Sequence, residues 1–336
     1  MSAPLPIPLS ILDLAPVPSG VPPSLAARRT VDLARLGDRL GFARYWFAEH
    51  HGMQSVASSA PEILIGNAAG ATRRIRVGSG GIMLPNHPPL RVAEVFRMLE
   101  ALHPGRIDLG LGRAPGSNHS ASRALRAFEG DQFPSMLAEL LAFCNDGFPE
   151  RHPFRTVRAM PDDVPLPPVW ILASSGASAR MAGGAGMGYS FASHFSPTPP
   201  APAFAAYREE FRPSAQFARP HAILGVAVVC AQSHERAEYL AATMDLGRLR
   251  IARGEFLPLP SPEEALAYPY AADEREIVRQ NKALTLVGTP AQVRERIEAM
   301  ARDCGADEVM VVTNVHSHEE RLRSYELLAA AFGMAS

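Results

Sequence analysis

ARYWFAEHH, residues 43–51, is an apolar, aromatic run that ends in one acid and two histidines, with Gly52 next. Aromatic and β-branched residues suit a pleated, half-buried backbone, so residues 43–48 read as a strand whose far end carries three titratable groups. Seven more short runs are built alike: PLSILDL (8–14), IRVGSG (75–80), RIDLGLG (106–112), PVWILAS (168–174), YSFASHF (189–195), AILGVAVVC (222–230) and EVMVVTN (308–314). Helical periodicity fills the gaps, at 24–41, 61–73, 89–102, 134–144, 177–186, 201–211, 233–250 and 317–332. Ser24 with Leu25, Pro61 with Glu62, and Pro89 mark helix starts, while Gly41, Gly105 and Gly305 mark helix ends. Strands alternating with helices indicate βαβ units and a parallel sheet. Eight of them predict an α/β fold of the (β/α)8 TIM-barrel type, with residues 1–336 in that one domain.

Two stretches exceed what connections need. Residues 145–167, after the fourth helix, are proline-rich, and residues 252–289, between strands seven and eight, contain LPLPSPEEALAYPY and a helical piece, DEREIVRQNKAL. Insertions of this length in a compact fold are either functional lids or ordered surface loops, and the sequence leaves both readings open.

The chain is 47% hydrophobic and 20% charged with a net charge of -1, which supplies ample core material. That balance gives no broad field for nucleic acid or an anionic membrane, so the expected ligand is a small molecule. Three scattered cysteines, Cys144, Cys230 and Cys304, form neither a disulfide framework nor a zinc motif, and suit a reducing cytoplasm. The start, MSAPLPIPLS, lacks a signal-peptide pattern, and no apolar run approaches the ~20 residues that span a bilayer. Among 33 basic residues only Lys282 is a lysine, which leaves Schiff-base chemistry one candidate.

In a barrel the chemistry lies at the C-terminal ends of the strands. Those ends read Asp13; Glu49-His50-His51; Gly80-Gly81; Gly112-Arg113; Ser174-Ser175-Gly176; Ser193-His194; and Thr313-Asn314, while the strand interiors look mostly apolar. Because alternate strand residues face opposite ways, one of His50 and His51 should face the cavity; the other reading is that both merely cap the strand by hydrogen bonding. A metal site is not indicated, since the first strand reads LSILDL without an HxH pair. The turn 174–178, SSGAS, reads either as a helix cap or, with Arg113 within reach, as an anion site at a helix start. The IDLGLGRAPG run is no dinucleotide fingerprint, because its third glycine falls late, at Gly116, and Pro115 resists a following helix. Its glycines would let a flat ligand approach the backbone, and Gly80-Gly81 would form a bulge or a strained peptide.

Five segments in order, RYWFAEHHG, RIRVGSGGIMLPNHPP, HPGRIDLGLGRAPG, PVWILASSGASARMAGGAGMGYSFASHF and VGTPAQVRERI…GADEVMVV, resemble the bacterial luciferase-like flavin-dependent monooxygenase family across nearly the whole chain. The resemblance implies a barrel that binds FMN, or in some branches F420, commonly as a dimer. It implies His50 as the catalytic histidine, flanked by Glu49 and His51, and a non-prolyl cis peptide at Gly80-Gly81 beneath the flavin ring. It further implies flavin-phosphate contacts from Arg113, Ser174, Ser175 and Ser178, with Asn86 and His194 near flavin or substrate. Luciferase carries a reactive cysteine where this chain has Gly112, so light emission is not implied. The expected reaction uses reduced FMN from a separate reductase, adds O2 at flavin C4a and transfers one oxygen atom to a small organic substrate. The alternatives are an F420-dependent dehydrogenase, a non-catalytic flavin-binding protein and, third, a metallohydrolase.

Overall fold

A computed structural model describes residues 7–127, 130–174 and 176–334. In chain order the elements begin β1 (Leu9–Asp13), α1 (Pro23–Leu40), β2 (Arg44–Phe47), α2 (Pro61–Ala71), β3 (Arg76–Ser79), β4 (Ile82–Met83), α3 (Pro89–Leu102), β5 (Ile107–Gly112), α4 (His119–Leu125) and α5 (Phe133–Asn145). They continue with β6 (Val169–Ala173), α6 (Gly176–Gly184), β7 (Gly188–Ala192), α7 (Ala201–Glu210), β8 (Ala222–Cys230), α8 (His234–Ala252), α9 (Pro262–Ala267), α10 (Ala272–Lys282), β9 (Thr285–Gly288), α11 (Pro290–Cys304), β10 (Glu308–Val312) and α12 (His318–Ala331).

Eight strands, β1, β2, β3, β5, β6, β7, β8 and β10, pair in parallel and close on themselves, because β10 bonds both β1 (Leu9↔Val309) and β8 (Ile223↔Glu308). The expected (β/α)8 barrel is therefore the observed fold. β3 pairs with the start of β5 and β4 with its end, so the two are one barrel strand interrupted at Gly80–Gly81. β9 lies outside the closed barrel, against the last four residues of β8. It was not expected, because TLVG is four residues long and directly precedes a helix start.

Proline and glycine punctuation sets the helix limits. Pro61 and Pro89 occupy first helical positions, and Gly41 and Gly305 end α1 and α11 in the left-handed conformation at φ 82° and 67°. Ser24 is not a cap, since α1 already begins at Pro23. Gly105 also falls outside a helix: α3 ends at Leu102 and Gly105 turns the chain further on, at φ 73°. The insertion 145–167 holds no regular element and is pinned by the buried Arg97 of α3, which donates to Ala159 O at 2.6 Å and Cys144 O at 2.8 Å.

Outward-facing strand residues such as Ile11, Tyr45, Phe47, Leu109 and Tyr189 pack under the helices, and inward-facing Leu12, Trp46, Trp170, Ile223 and Met310 fill the barrel. The expectation that polarity gathers at one mouth needs correction. At the N-terminal end of the strands lies a second polar layer with two buried carboxylates: Asp108 accepts from Arg44, Arg76 and Trp46 Nε1, and Glu308 accepts from Arg44, Ser10 and His221. Arg44 also lies 4.5 Å over the Trp170 ring. Each carboxylate is held below its ordinary range although burial opposes ionisation, first by the Arg44 charge and then by its other partners. The signal was spread over four strand starts and so invisible strand by strand.

Candidate functional site

The period of two along β2 decides which histidine faces inward. Arg44, Trp46 and Ala48 line the barrel, so His50 shares their direction while Glu49 and His51 turn away. His50 is neutral in character: burial lowers its pKa against the pull of Glu49, and its Nδ1 is buried with no hydrogen-bond partner. Across the mouth His194 follows β7 and sits against Gly225 of β8. Burial, the Arg248 charge and His50 push its pKa down to about 4.

Glu49 is fully buried and forms a hub. It accepts from His51 Nε2 at 2.7 Å, Met83 N at 2.8 Å, Asn86 Nδ2 at 3.0 Å and His87 Nε2 at 3.0 Å. Burial pushes its carboxyl up, but the hydrogen bonds from His51 and His87 outweigh that and hold it down at about 2. His87 is raised from its ordinary value by the same contact and by Glu62, against burial. His87 was missed in the sequence because it lies in a proline-flanked turn, NHPP, with no strand end to mark it.

The Gly80–Gly81 peptide is cis, as the family resemblance implied. A methyl group added at Gly80 would meet Leu12 Cδ1 at 2.7 Å, and one at Gly81 would meet Gly110 O at 2.7 Å. One at Gly110 would meet Ser79 O at 2.1 Å, and one at Gly112 would meet Met83 Sδ at 2.7 Å. Gly110 is thus required by close strand packing against the Ser79 carbonyl, and Gly112 lies under the Met83 side chain, so each is filled by a neighbour of the chain itself. These positions carry no side chain of their own, and Leu12, Trp46, Leu172 and Met83 close over them.

Arg113 is exposed, follows directly on Gly112 and stands beside the end of β6, where Gly112 pairs with Leu172. Ser174 closes β6, and Ser178 lies buried in the first turn of α6. Ser175 lies outside the described residues. Arg113 thus follows β5, Ser174 follows β6, and Ser178 opens the helix that packs on β6 and β7, so the three belong to the C-terminal ends of neighbouring strands. Asn314 follows β10 with its Oδ1 buried and unpartnered. Asp13 does not join the site: it accepts from Ala15 N, from the Tyr45 hydroxyl and from Arg321 of α12 at 2.7 Å, tying the barrel to its last helix. Thr313 likewise bonds Val228 O of the neighbouring strand.

The insertion 252–289 reaches this rim. Phe256 O accepts from Gln54 N at 3.0 Å, and Leu259 exchanges backbone bonds with Val17 and Ser19, so the stretch packs on the loops after β1 and β2. Arg248 joins it to the site, donating to His194 O, Asn281 O and Thr285 Oγ1. Among the described residues no group of three or more His, Cys, Asp or Glu side chains is arranged for a metal ion, and no helix is long and apolar enough to cross a membrane.

A closed parallel barrel with His50, Arg113 and His194 at the C-terminal ends of its strands has the architecture of the (β/α)8 class. The chain belongs to the luciferase-like monooxygenase family, whose model matches residues 7–308. It is 42% identical to a luciferase-like monooxygenase of Escherichia coli K12 over 324 residues, 96% of each chain. It is 33% identical to an N-acetyl-S-alkylcysteine monooxygenase of Bacillus subtilis, over 96% of this chain and 97% of the relative. A crystal structure of apo-MsnO8 superposes with a TM-score of 0.88 at 37% identity, over 98% of both chains. The fold alone is shared with the oxygenating part of 3,6-diketocamphane monooxygenase in complex with FMN (TM-score 0.70, 18% identity, 97% of both chains). It is shared too with an F420-dependent secondary alcohol dehydrogenase (TM-score 0.69, 13% identity, 98% of this chain and 99% of that chain).

Proposed function

We propose that this protein is a flavin-dependent monooxygenase that takes reduced FMN and O2 and oxidises a small organic substrate. One observation carries the reading: a half-buried histidine, its charge disfavoured by its surroundings and its Nδ1 buried without a partner, and an exposed arginine beside a helix start belong to the same mouth. The residues present fit FMN. Arg113, with Ser174 and Ser178, would hold the phosphate through charge-assisted and hydroxyl contacts at the start of α6. Gly80 and Gly81 would lie beneath the ring. When bound, reduced FMN supplies two electrons and activates dioxygen.

This chain's own residues do the rest. His50, neutral at pH 7, accepts or returns a proton at Nδ1 as substrate is oxidised. His194 stays uncharged opposite it. The rim loops and residues 256–259 exclude water from the mouth. A separate flavin reductase delivers the reduced cofactor, in keeping with the lack of a GxGxxG run.

The test has two arms. FMN and F420 are titrated against the protein to compare affinities, and oxygen uptake with reduced FMN is followed with and without substrate, beginning with N-acetyl-S-alkylcysteines because of the Bacillus relative. Substrate-dependent uptake and an oxygenated product are expected. Preference for F420 would move the reading to hydride transfer, and FMN binding with oxygen uptake no different from free flavin would leave a non-catalytic flavin binder.

A further inference from the structure

Glu49 joins three stretches of chain. Its own stretch carries His50. Its partners Met83, Asn86 and His87 belong to the segment that follows Gly80–Gly81. The third is the loop after Arg113: Asn86 Nδ2 also donates to Pro115 O at 3.0 Å, and His51 N donates to Gly116 O at 3.0 Å. The backbones bearing the histidine, the glycine pair and the arginine are therefore referenced to one buried carboxylate, which itself points away from the mouth.

We propose that Glu49 is a positioning residue: through His51, Asn86, His87 and the Met83 N–H it fixes His50 relative to the Gly80–Gly81 and Arg113 segments, without itself touching substrate or flavin. The proposal rests on the reading that His50 handles the proton. A carboxylate suits the task because it accepts from four donors at once, where an amide would turn an NH2 toward some of them. The titratable groups facing the cluster are His51 and His50 from its own segment, His87 from the turn after β4, and Glu62 of α2, which faces His87. With its carboxyl held at about 2, Glu49 keeps its negative charge throughout the working pH range, and the arrangement does not loosen near neutrality.

The experiment is a double-mutant cycle between Glu49 and His50. Glu49→Gln should lower substrate-coupled turnover between about 5- and 150-fold, the range expected when one partner of a buried charged hydrogen bond is lost. In a His50→Ala background the same change should have no further effect. A second readout needs neither flavin nor turnover: nitrogen-15 NMR should show the His87 titration moving down toward the ordinary histidine range and the His50 ring resonances shifting. Should Glu49→Gln not fold, Asn86→Leu, which removes one donor to Glu49 together with its bond to Pro115 O, carries the same cycle with a smaller loss. Equal losses in the presence and absence of His50, or unshifted His50 and His87 resonances, would overturn the proposal. If the unaltered protein shows no turnover with reduced FMN, the functional reading fails alone, and the ring resonances still decide the role of Glu49.

Discussion

Asp108→Asn probes the charged layer that closes the N-terminal end of the barrel. Asp108 is fully buried, with Oδ1 facing Arg76 at 2.7 Å and Oδ2 facing Arg44 at 2.8 Å and Trp46 Nε1 at 3.0 Å. The amide removes the charge that compensates two guanidiniums and turns an NH2 toward donors on one side. Removing one partner of a buried ion pair costs about 3–5 kcal/mol. Unfolding entropy near 60 °C is roughly 2.1 cal/mol/K per residue, which for 336 residues is about 0.7 kcal/mol/K. The midpoint should therefore fall by about 4–7 °C in calorimetry. The pH dependence has a definite sign: the folded-state pKa of Asp108 lies below 3.8, so its contribution is complete above that value and is lost as pH falls through the lowered one. The variant should show a flatter acid limb. Arg279→Ala, which breaks the Arg279–Glu276 pair on a side chain 78% exposed, is the control and should cost under about 1 kcal/mol. A loss from Asp108→Asn no larger than the control, with an unchanged acid limb, would refute the idea that this layer carries uncompensated charge when broken.

Arg113→Ala should weaken FMN binding about 10- to 150-fold in a fluorescence titration, the equivalent of ~1.5–3 kcal/mol for a charge-assisted contact; unchanged affinity removes Arg113 from the site. His50→Ala should keep FMN affinity within about twofold while losing at least ~100-fold in coupled turnover. Gly110→Ala places a methyl carbon 2.1 Å from the Ser79 carbonyl oxygen, and a urea titration should show a loss of about 3 kcal/mol or more, whereas Gly176→Ala, with nothing within 4 Å, should be near neutral. The pKa of His194 is lowered to about 4, so protonation of the unfolded chain costs the fold stability as pH falls from about 6.5 toward 4. His194→Phe should reduce that slope.

The barrel was legible because each of its strands is a compact apolar run closed by polar or small residues, a signal that survives without neighbours. The direction of His50 was half legible: alternation said that one histidine faces inward, and only Trp46 lining the barrel says which. Glu49 read as a flanking residue because all its partners but His51 lie 34 to 38 positions on, beyond the reach of local spacing. Asp13 misled, since a polar strand end opposite a buried arginine 308 residues away looks the same as one at a catalytic mouth. The glycines of IDLGLG misled for a related reason: a residue without a side chain says that something is close, and the sequence does not say whether it is ligand or the carbonyl of Ser79.

The two polar layers are parts of one solution to the barrel's geometry. Inward positions recur every second residue, so β5 presents Asp108, Gly110 and Gly112 in turn to the interior, and β2 presents Arg44, Trp46, Ala48 and His50. On both strands the charged group comes first, where Arg44 and Asp108 meet and neutralise each other at 2.8 Å. Trp46 then fills the waist against Trp170 with ring centres 5.3 Å apart, and its indole N–H is spent on Asp108. What remains for the other end is glycine at positions 110 and 112 and a histidine whose charge burial disfavours. Had an unpaired acid stood among those inward positions near the mouth, it would have raised the His50 pKa and held the imidazole protonated. Glu49 is that acid by sequence, and the single step of chain that turns it outward, onto His51, His87 and the Met83 amide, leaves His50 free to take a proton.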